Sequence, residues 1–597
     1  MVYRKDIQIL RGIAVLLVVL FHLDMAGLTS GFLGVDIFFV ISGYLMAMMY
    51  RPEHQASFFL KRARRLLPAY FVTIFATTLM ASWLTTPNDY QQVIGQSVFA
   101  TFFASNIGFW LENSYFDKAA FKPLLHLWSL GLEIQFYLLV PLLYRLFQKH
   151  FAFFVIIWLG SLALCFWLLG LSPKTSFFWI PMRLWQFLIG FGCGYYLANR
   201  QLADTAWPGA LALLVIVLML FVPVDGQAMN IWYGHPGLSA LAISLATGVT
   251  LVFGLPKALQ AHPLASVLER IGGYSYSLYL AHFPVIVLFL YQPFRGTLTH
   301  SPDAASTAAL VALILMTSTL LYRYVENPLR HEKAIIHFGM TAAAFMVVSG
   351  QLGTLLQIKM VDAKQMQIYQ AWFDRDAYRC GKIKRLLDPL AHTCTLTDAI
   401  AKPRHHVLLV GNSHADSIKA TFSAVAQEKQ ISVYFLAENT PLMKNGMTAL
   451  QLIQEARHRH ADAIVLHYSP EGLDQTAISE LIALNRTAKL KLVLLMPVPI
   501  WNIHVPMALL AKEKTGQLPP QQTLSYYQMA NHALTDYLQH QEPGALRVYP
   551  VAPSLCQPIC AMQSADGRPL YFDSGHLTLT GSQHLTGVFS QILDDLG

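Results

Sequence analysis

The sequence predicts a multi-span α-helical membrane body of about eleven transmembrane helices, followed by a C-terminal α/β module built on a parallel sheet. Three observations lead there. Apolar segments long enough to cross a bilayer follow one another almost without interruption up to residue 358. The 597 residues are 54% hydrophobic and only 13% charged, the balance of a membrane protein. Beyond residue 402 the pattern changes to short apolar strands separated by helical stretches. The net charge of +8 raises nucleic acid as a partner, but the basic residues recur between apolar segments, as in cytoplasmic loops, and form no solvated stripe. Nucleic acid is therefore set aside.

The spans lie near 7–24, 31–50, 67–85, 124–147, 151–170, 176–198, 208–224, 237–255, 271–292, 304–325 and 334–357. The run from Ile7 to Leu23 lacks a small-residue cleavage site and is retained as a span. A twelfth segment, 91–111, carries Gln91, Gln92, Gln96, Ser97, Ser105 and Asn106. The basic loops around Arg51–Arg65, Arg145–Lys149, Arg200, Lys257–Arg270 and Arg323–Lys333 share one side only if 91–111 does not cross. It is read as re-entrant or surface-lying. Ten spans then fall in residues 1–330 and an eleventh in 331–358, with a periplasmic linker over 359–402 and the α/β module over 403–597. The amino terminus is cytoplasmic and the module lies outside an inner membrane.

Several spans contain residues that lipid disfavours. Arg11 and His22 are eleven positions apart, three turns plus about 20°, so they share a face about 16 Å apart along the axis. A snorkelling anchor and a packing histidine account for each singly. Two ionisable residues on one buried face cost several kcal/mol unless used or paired, which favours function. His126 and Glu133 are seven apart, two turns on one face.

Leu10-Arg11-Gly12-Ile13-Ala14 running to His22, then Gly34-Val35-Asp36-Ile37-Phe38-Phe39-Val40-Ile41-Ser42-Gly43-Tyr44, resembles the opening of acyltransferase family 3, membrane enzymes that decorate bacterial surface sugars. Lys61-Arg62-Ala63-Arg64-Arg65, Trp128-Ser129-Leu130, Ser275-Tyr276-Ser277-Leu278-Tyr279-Leu280-Ala281-His282 and Glu326-Asn327-Pro328 continue the resemblance over about residues 4–330. Ile134 stands where that family usually shows a second glutamate after Glu133. The resemblance implies an acyl donor, acetyl-CoA foremost, entering from the cytoplasm, with no cofactor bound tightly. Arg62, Arg64 and Arg65 would hold its phosphates, as guanidinium forks suit that group, although topogenic charge explains the same cluster without a ligand. His22 would act as general base or transient acyl carrier. Arg11 would orient it indirectly or bind donor; Glu133 and His126 complete the implied site.

In the module, His405–Val410 reads as a strand and Ser413–Gln427 as a helix, with further strands at Ile431–Leu436, Ala463–His467 and Lys491–Met496 and helical stretches at 471–489 and 523–540. Gly411-Asn412-Ser413-His414 and Asp573-Ser574-Gly575-His576 resemble the nucleophile and Asp-x-x-His blocks of SGNH/GDSL hydrolases. The resemblance makes Ser413, Asp573 and His576 a catalytic triad. That family's intermediate glycine and asparagine oxyanion donors are not found; Gly446 and Asn439 are weak substitutes. Cys380 with Cys394 and Cys556 with Cys560 form two close pairs, read as disulfides in an oxidising space rather than as a metal site, because no histidine cluster completes one.

Together these features predict an O-acyltransferase, foremost an O-acetyltransferase, acting on hydroxyls of a cell-envelope or lipid-linked glycan. Lipopolysaccharide O-antigen is favoured because a short linker keeps the module near membrane lipid, with peptidoglycan and exopolysaccharide as alternatives. A glycan-binding transporter would leave Ser413, Asp573 and His576 idle. A membrane-anchored esterase would need no such elaborate anchor.

Overall fold

In the computed structural model, residues 3–24, 28–112, 121–197, 206–226, 228–298, 303–329, 350, 353–354, 361–376, 392–436, 442–443 and 446–596 are described. The chain divides into two compact units: one takes in nearly all of residues 1–356, the other Gln357–Gly597.

The first unit is helical. Its elements are α1 (Lys5–His22), α2 (Gly34–Met49), α3 (Gln55–Leu84), α4 (Pro87–Thr101), α5 (Ser105–Leu111), α6 (Leu127–Lys149), α7 (Phe151–Leu169), α8 (Pro173–Phe178), α9 (Ile180–Gly192), α10 (Trp207–Met219), α11 (Leu238–Phe253), α12 (Lys257–Ala261), α13 (Pro263–Phe289) and α14 (Ala304–Leu321). A small hairpin, β1 (Tyr291–Gln292) with β2 (Gly296–Thr297), follows α13. Six helices among the described residues are long and apolar enough to span, from the segments Gly31–Met49, Pro52–Leu84, Leu127–Lys149, Phe151–Leu169, Pro263–Phe289 and Ala304–Leu329. That is fewer than the eleven expected. Helix α1 carries Lys5, Asp6 and Arg11, too many charges for a composition test. The segments Trp207–Met219 and Leu238–Phe253 are apolar but short, and the expected span at 334–357 falls almost wholly outside the described residues.

The 91–111 segment is not one spanning helix, as expected, whereas the basic cluster at 61–65 lies elsewhere than expected. The 91–111 segment is divided between α4 and α5 with a break around Phe103, whose φ is +56°. At 1.5 Å per residue, neither piece covers an apolar core about 30 Å thick. The basic residues Lys61, Arg62, Arg64 and Arg65 lie inside α3 rather than in a turn.

Close backbone contact joins α1 to α13. A Cβ on Gly12 would sit 2.1 Å from the Leu268 carbonyl oxygen, and one on Gly272 would sit 1.9 Å from that of Gln8. Small residues facing one another in this way let two membrane helices touch. A buried polar cluster ties α2 to α9: Arg183 Nη1 donates to Asp36 Oδ1 at 3.0 Å and Arg183 Nη2 lies 3.0 Å from His235 Nε2. Gln186 donates to the same Asp36 oxygen.

The second unit holds a six-stranded sheet of β3 (Thr393–Thr395), β4 (His405–Gly411), β5 (Ile431–Leu436), β6 (Ala463–His467), β7 (Lys491–Leu495) and β8 (Arg547–Tyr549), in the order β3-β5-β4-β6-β7-β8. The sheet is mixed, not parallel as expected: five strands run parallel and β3 pairs antiparallel with β5 at an edge. The central strands are buried apolar runs, Val407–Val410 and Ala463–Leu466, as a sheet covered on both faces requires. The expected linker over 359–402 is structured in part, since it supplies β3 and a helix at Ala363–Tyr369. The expected helical stretch 523–540 is two helices, Leu524–Ala530 and His532–Gln539, broken at Asn531.

Candidate active site

In the second unit, β4 ends at Gly411 and a helix begins at Ser413 (Ser413–Glu428), so the serine occupies a sharp strand-to-helix turn. Asn412 caps that helix by accepting from the His414 N–H at 3.1 Å, and its Nδ2 donates to Ser469 Oγ at 2.9 Å. Ser413 Oγ is 2.6 Å from His576 Nε2, and His576 Nδ1 is 2.6 Å from Asp573 Oδ2. The other oxygen of Asp573 accepts from the backbone N–H of Gly575 and of His576, both at 2.8 Å. Burial works against the charged form of Asp573. The hydrogen bond and charge of His576 and the two N–H groups outweigh it, holding the carboxyl down at about 2. An ionised carboxylate on Nδ1 leaves Nε2 to take a proton from Ser413.

The His576 ring lies between two others. Phe572 is stacked on it, centroids 5.4 Å apart and 14° from parallel, and His414 lies at 4.4 Å. Burial, with His576 and His467 nearby, pushes His414 well below the ordinary histidine range; burial likewise takes His467 down to about 4. His576 is thus flanked by neutral rings. In the sequence His414 stands only as part of the nucleophile block and His467 only as a strand end, because strand ends and helix starts carry histidines for many reasons. Gly446 is no oxyanion donor, since its N–H bonds the Met443 carbonyl at 2.9 Å, and Asn439 lies outside the described residues. With the His414 N–H taken by Asn412, the Ser413 N–H at the helix start is left as a local oxyanion-stabilising group.

In the membrane unit the polar residues sort differently from their sequence pairs. Arg11, Arg62, Arg65, Ser42, Glu133 and Tyr137 line one cavity among α1, α2, α3, α6 and α13. Glu133 Oε1 accepts from Ser42 Oγ at 2.5 Å and from the Tyr137 hydroxyl. Arg64 does not line this cavity, nor do His22 and His126. The two histidines meet elsewhere, around His282 on α13: His22 Nδ1 is 3.1 Å from His282 Nε2, and the His126 and His282 rings are 5.8 Å apart. Two helical turns, about 11 Å, carry Glu133 away from His126, and three carry Arg11 away from His22. Ser129 and Tyr279 bridge the groups. They bond each other at 2.6 Å, Tyr279 donates to the His126 carbonyl at 2.9 Å, and both line the cavity.

Cys556 and Cys560 are joined by a disulfide. Cys394 is also disulfide-bonded, while its expected partner Cys380 lies outside the described residues. Among the described residues, no group of three or more His, Cys, Asp or Glu side chains is placed to hold a metal ion.

A family model described as an acyltransferase domain matches residues 4–325, more than half of the chain. The chain belongs to this acyltransferase family. A second model, an SGNH domain of the kind fused to such acyltransferase domains, matches residues 379–591, which begins within the expected linker. "Putative membrane-bound transacylase BcsY" of Komagataeibacter xylinus is 32% identical over 361 residues, 59% of this chain and 89% of that protein. A "putative O-acetyltransferase" of Staphylococcus aureus strain MSSA476 is 30% identical over 364 residues, 55% of this chain and 58% of that protein. The O-acetyltransferase OatA of S. aureus strain NCTC 8325 is 28% identical over 401 residues, 62% of this chain and 64% of that protein. The match thus spans less than two thirds of the staphylococcal proteins. No solved structure matches the chain. The chain is an acyltransferase of the membrane-bound type carrying an SGNH domain.

Proposed function

We propose that this acyltransferase takes an acetyl group from cytoplasmic acetyl-CoA, moves it across the inner membrane and places it on a hydroxyl of a cell-envelope glycan, lipopolysaccharide O-antigen foremost. The observation that carries the reading is the Ser413–His576–Asp573 relay, complete in a chain whose membrane unit is an acyltransferase. Two relatives named as O-acetyltransferases support the acetyl group and the hydroxyl acceptor.

Arg11, Arg62 and Arg65, gathered at one cavity, would hold the phosphates of the donor, with Glu133 fixed beside them by Ser42 and Tyr137. His22 acts as general base or transient acyl carrier. In the outer unit Ser413 Oγ attacks the delivered acyl carbonyl and its proton passes to His576 Nε2, which returns a proton to the departing carrier. The acceptor hydroxyl then gives its proton to His576 and takes the acyl group, which frees Ser413. The amino terminus lies in the cytoplasm and the SGNH domain in the periplasm.

The test follows labelled acetyl from acetyl-CoA into envelope glycan, with mass spectrometry of the modified sugars in cells that have and lack the gene. Loss of acetyl from O-antigen on deletion is expected. Loss from peptidoglycan or an exopolysaccharide instead would reassign the acceptor, and no change in any glycan would overturn the reading.

A further inference from the structure

We propose that His282 is a positioning residue for the membrane half of the reaction: it accepts a hydrogen bond from His22 Nδ1 and so holds His22 in the tautomer whose Nε2 carries the lone pair. The inference rests on the proposed role of His22, since a base and an acyl carrier alike need an unprotonated nitrogen.

The hydrogen positions follow from the partners. His282 is fully buried on α13. Its Nδ1 lies 2.7 Å from the Tyr279 carbonyl oxygen and 3.2 Å from that of Leu278. A carbonyl oxygen only accepts, so His282 Nδ1 carries the hydrogen, and in a neutral imidazole Nε2 is then an acceptor. That nitrogen stands 3.1 Å from His22 Nδ1. Two lone pairs do not face one another at this distance, so His22 Nδ1 donates. The proton of His22 is thereby placed on the nitrogen turned toward α13, and Nε2 is left for chemistry. A charged His282 would reverse the pair. Its ring instead sits among His126, Tyr279 and Phe283, where an ionised imidazole without an acid partner is costly.

The surroundings fix this geometry. The Gly12–Gly272 contact sets the spacing of α1 and α13, and Phe283 packs edge-on against His22 at 4.8 Å. His126 adds a third ring with its own hydrogen assigned: Nε2 lies 3.1 Å from the Leu280 carbonyl, which leaves Nδ1 as a buried lone pair. The cluster is then neutral throughout, with each hydrogen directed into a carbonyl or along the His22–His282 bond.

The experiment measures CoA release from acetyl-CoA by the full-length chain reconstituted in phospholipid vesicles. His282→Leu removes the acceptor, and His282→Gln offers an amide oxygen in its place. A wrong tautomer costs about 10⁴-fold in kcat in the serine-protease case, and a neutral orienting partner is expected to matter less. The expected result is a fall in kcat of about 100-fold for His282→Leu with KM for acetyl-CoA within about two-fold, and recovery to within about ten-fold of wild type for His282→Gln. If the leucine variant does not accumulate, His282→Asn, which stays polar but ends short of His22, takes its place with the same expectation. A leucine or asparagine variant at the wild-type rate, or a glutamine variant as impaired as either, overturns the inference. His22→Ala separates this failure from that of the underlying reading: an alanine variant with wild-type turnover removes His22 itself from the reaction.

Discussion

Ser413 Oγ and His576 Nε2 lie 2.6 Å apart although 163 positions separate them in the chain. Each is placed by a short local device. Ser413 stands at the first turn of a helix capped by Asn412. His576 stands in a loop whose Asp573 binds two of its own backbone N–H groups. The loop is tied down in turn, with the Trp501 N–H donating to the Ser574 carbonyl at 2.8 Å and the Val505 N–H to that of Asp573 at 3.1 Å. A relay built from two pre-formed turns needs little reorganisation when an acyl group arrives.

Asp573→Asn should keep this geometry and lose the orientation of His576. Acyl transfer to glycan is expected to fall by about 10³–10⁴-fold. The same substitution has a pH signature. Asp573 titrates at about 2 in the fold against an ordinary value of 3.8, so its contribution to stability is present above about 4 and is lost as pH falls toward 2. Thermal melting of the SGNH unit in the purified chain should therefore decline less steeply over that interval in Asp573→Asn than in wild type. Identical slopes would show that the carboxylate is not held down.

Asp36 and Arg183 form an ion pair with side chains 1% and 0% exposed. Removing one partner leaves the other charge buried and uncompensated. Arg183→Met or Asp36→Leu alone should destabilise the membrane unit by about 3–5 kcal/mol, and the double variant by clearly less than the sum. Thermal stability of the four proteins in detergent measures this; simple additivity would mean that the two groups do not interact.

Cys556 and Cys560 close a very short loop, for which chain entropy suggests a contribution of about 2 kcal/mol. Cys556→Ser should lower the melting temperature of the SGNH unit by several degrees. Peptide mapping without reduction should recover the linkage from membranes. Free thiols at both positions would contradict an extracytoplasmic location.

Legibility in the sequence followed the locality of the signal. Ser413, Asp573 and His576 could be read because each lies in a short block with its own turn chemistry. The strands β4 to β7 were visible as apolar runs, whereas β3 and β8, three residues each, have no pattern to show. Arg183 carries no local signal in the sequence, and only the fold sets it against Asp36, 147 positions earlier. His282 was seen as part of a motif, but its partner His22 is 260 residues away. The sequence paired His126 with Glu133 because both lie on one helix face. The structure instead gives Glu133 to the arginine-lined cavity and His126 to the histidine cluster, since a face two turns long reaches two different neighbourhoods.

If one chain carries two acyl-handling sites acting in series, Ser413→Ala should uncouple them. CoA itself cannot cross the hydrocarbon, so under the proposed function donor chemistry would depend on His22 and release to a sugar on Ser413. The measurement is CoA release by inverted membrane vesicles beside glycan acetylation in intact cells. With Ser413→Ala, donor consumption or an acyl-loaded intermediate should remain detectable while glycan acetylation falls by about 10⁴-fold or more. With His22→Ala, both should be lost. Glycan acetylation at the wild-type rate in Ser413→Ala cells would contradict the account, because the membrane unit would then act alone.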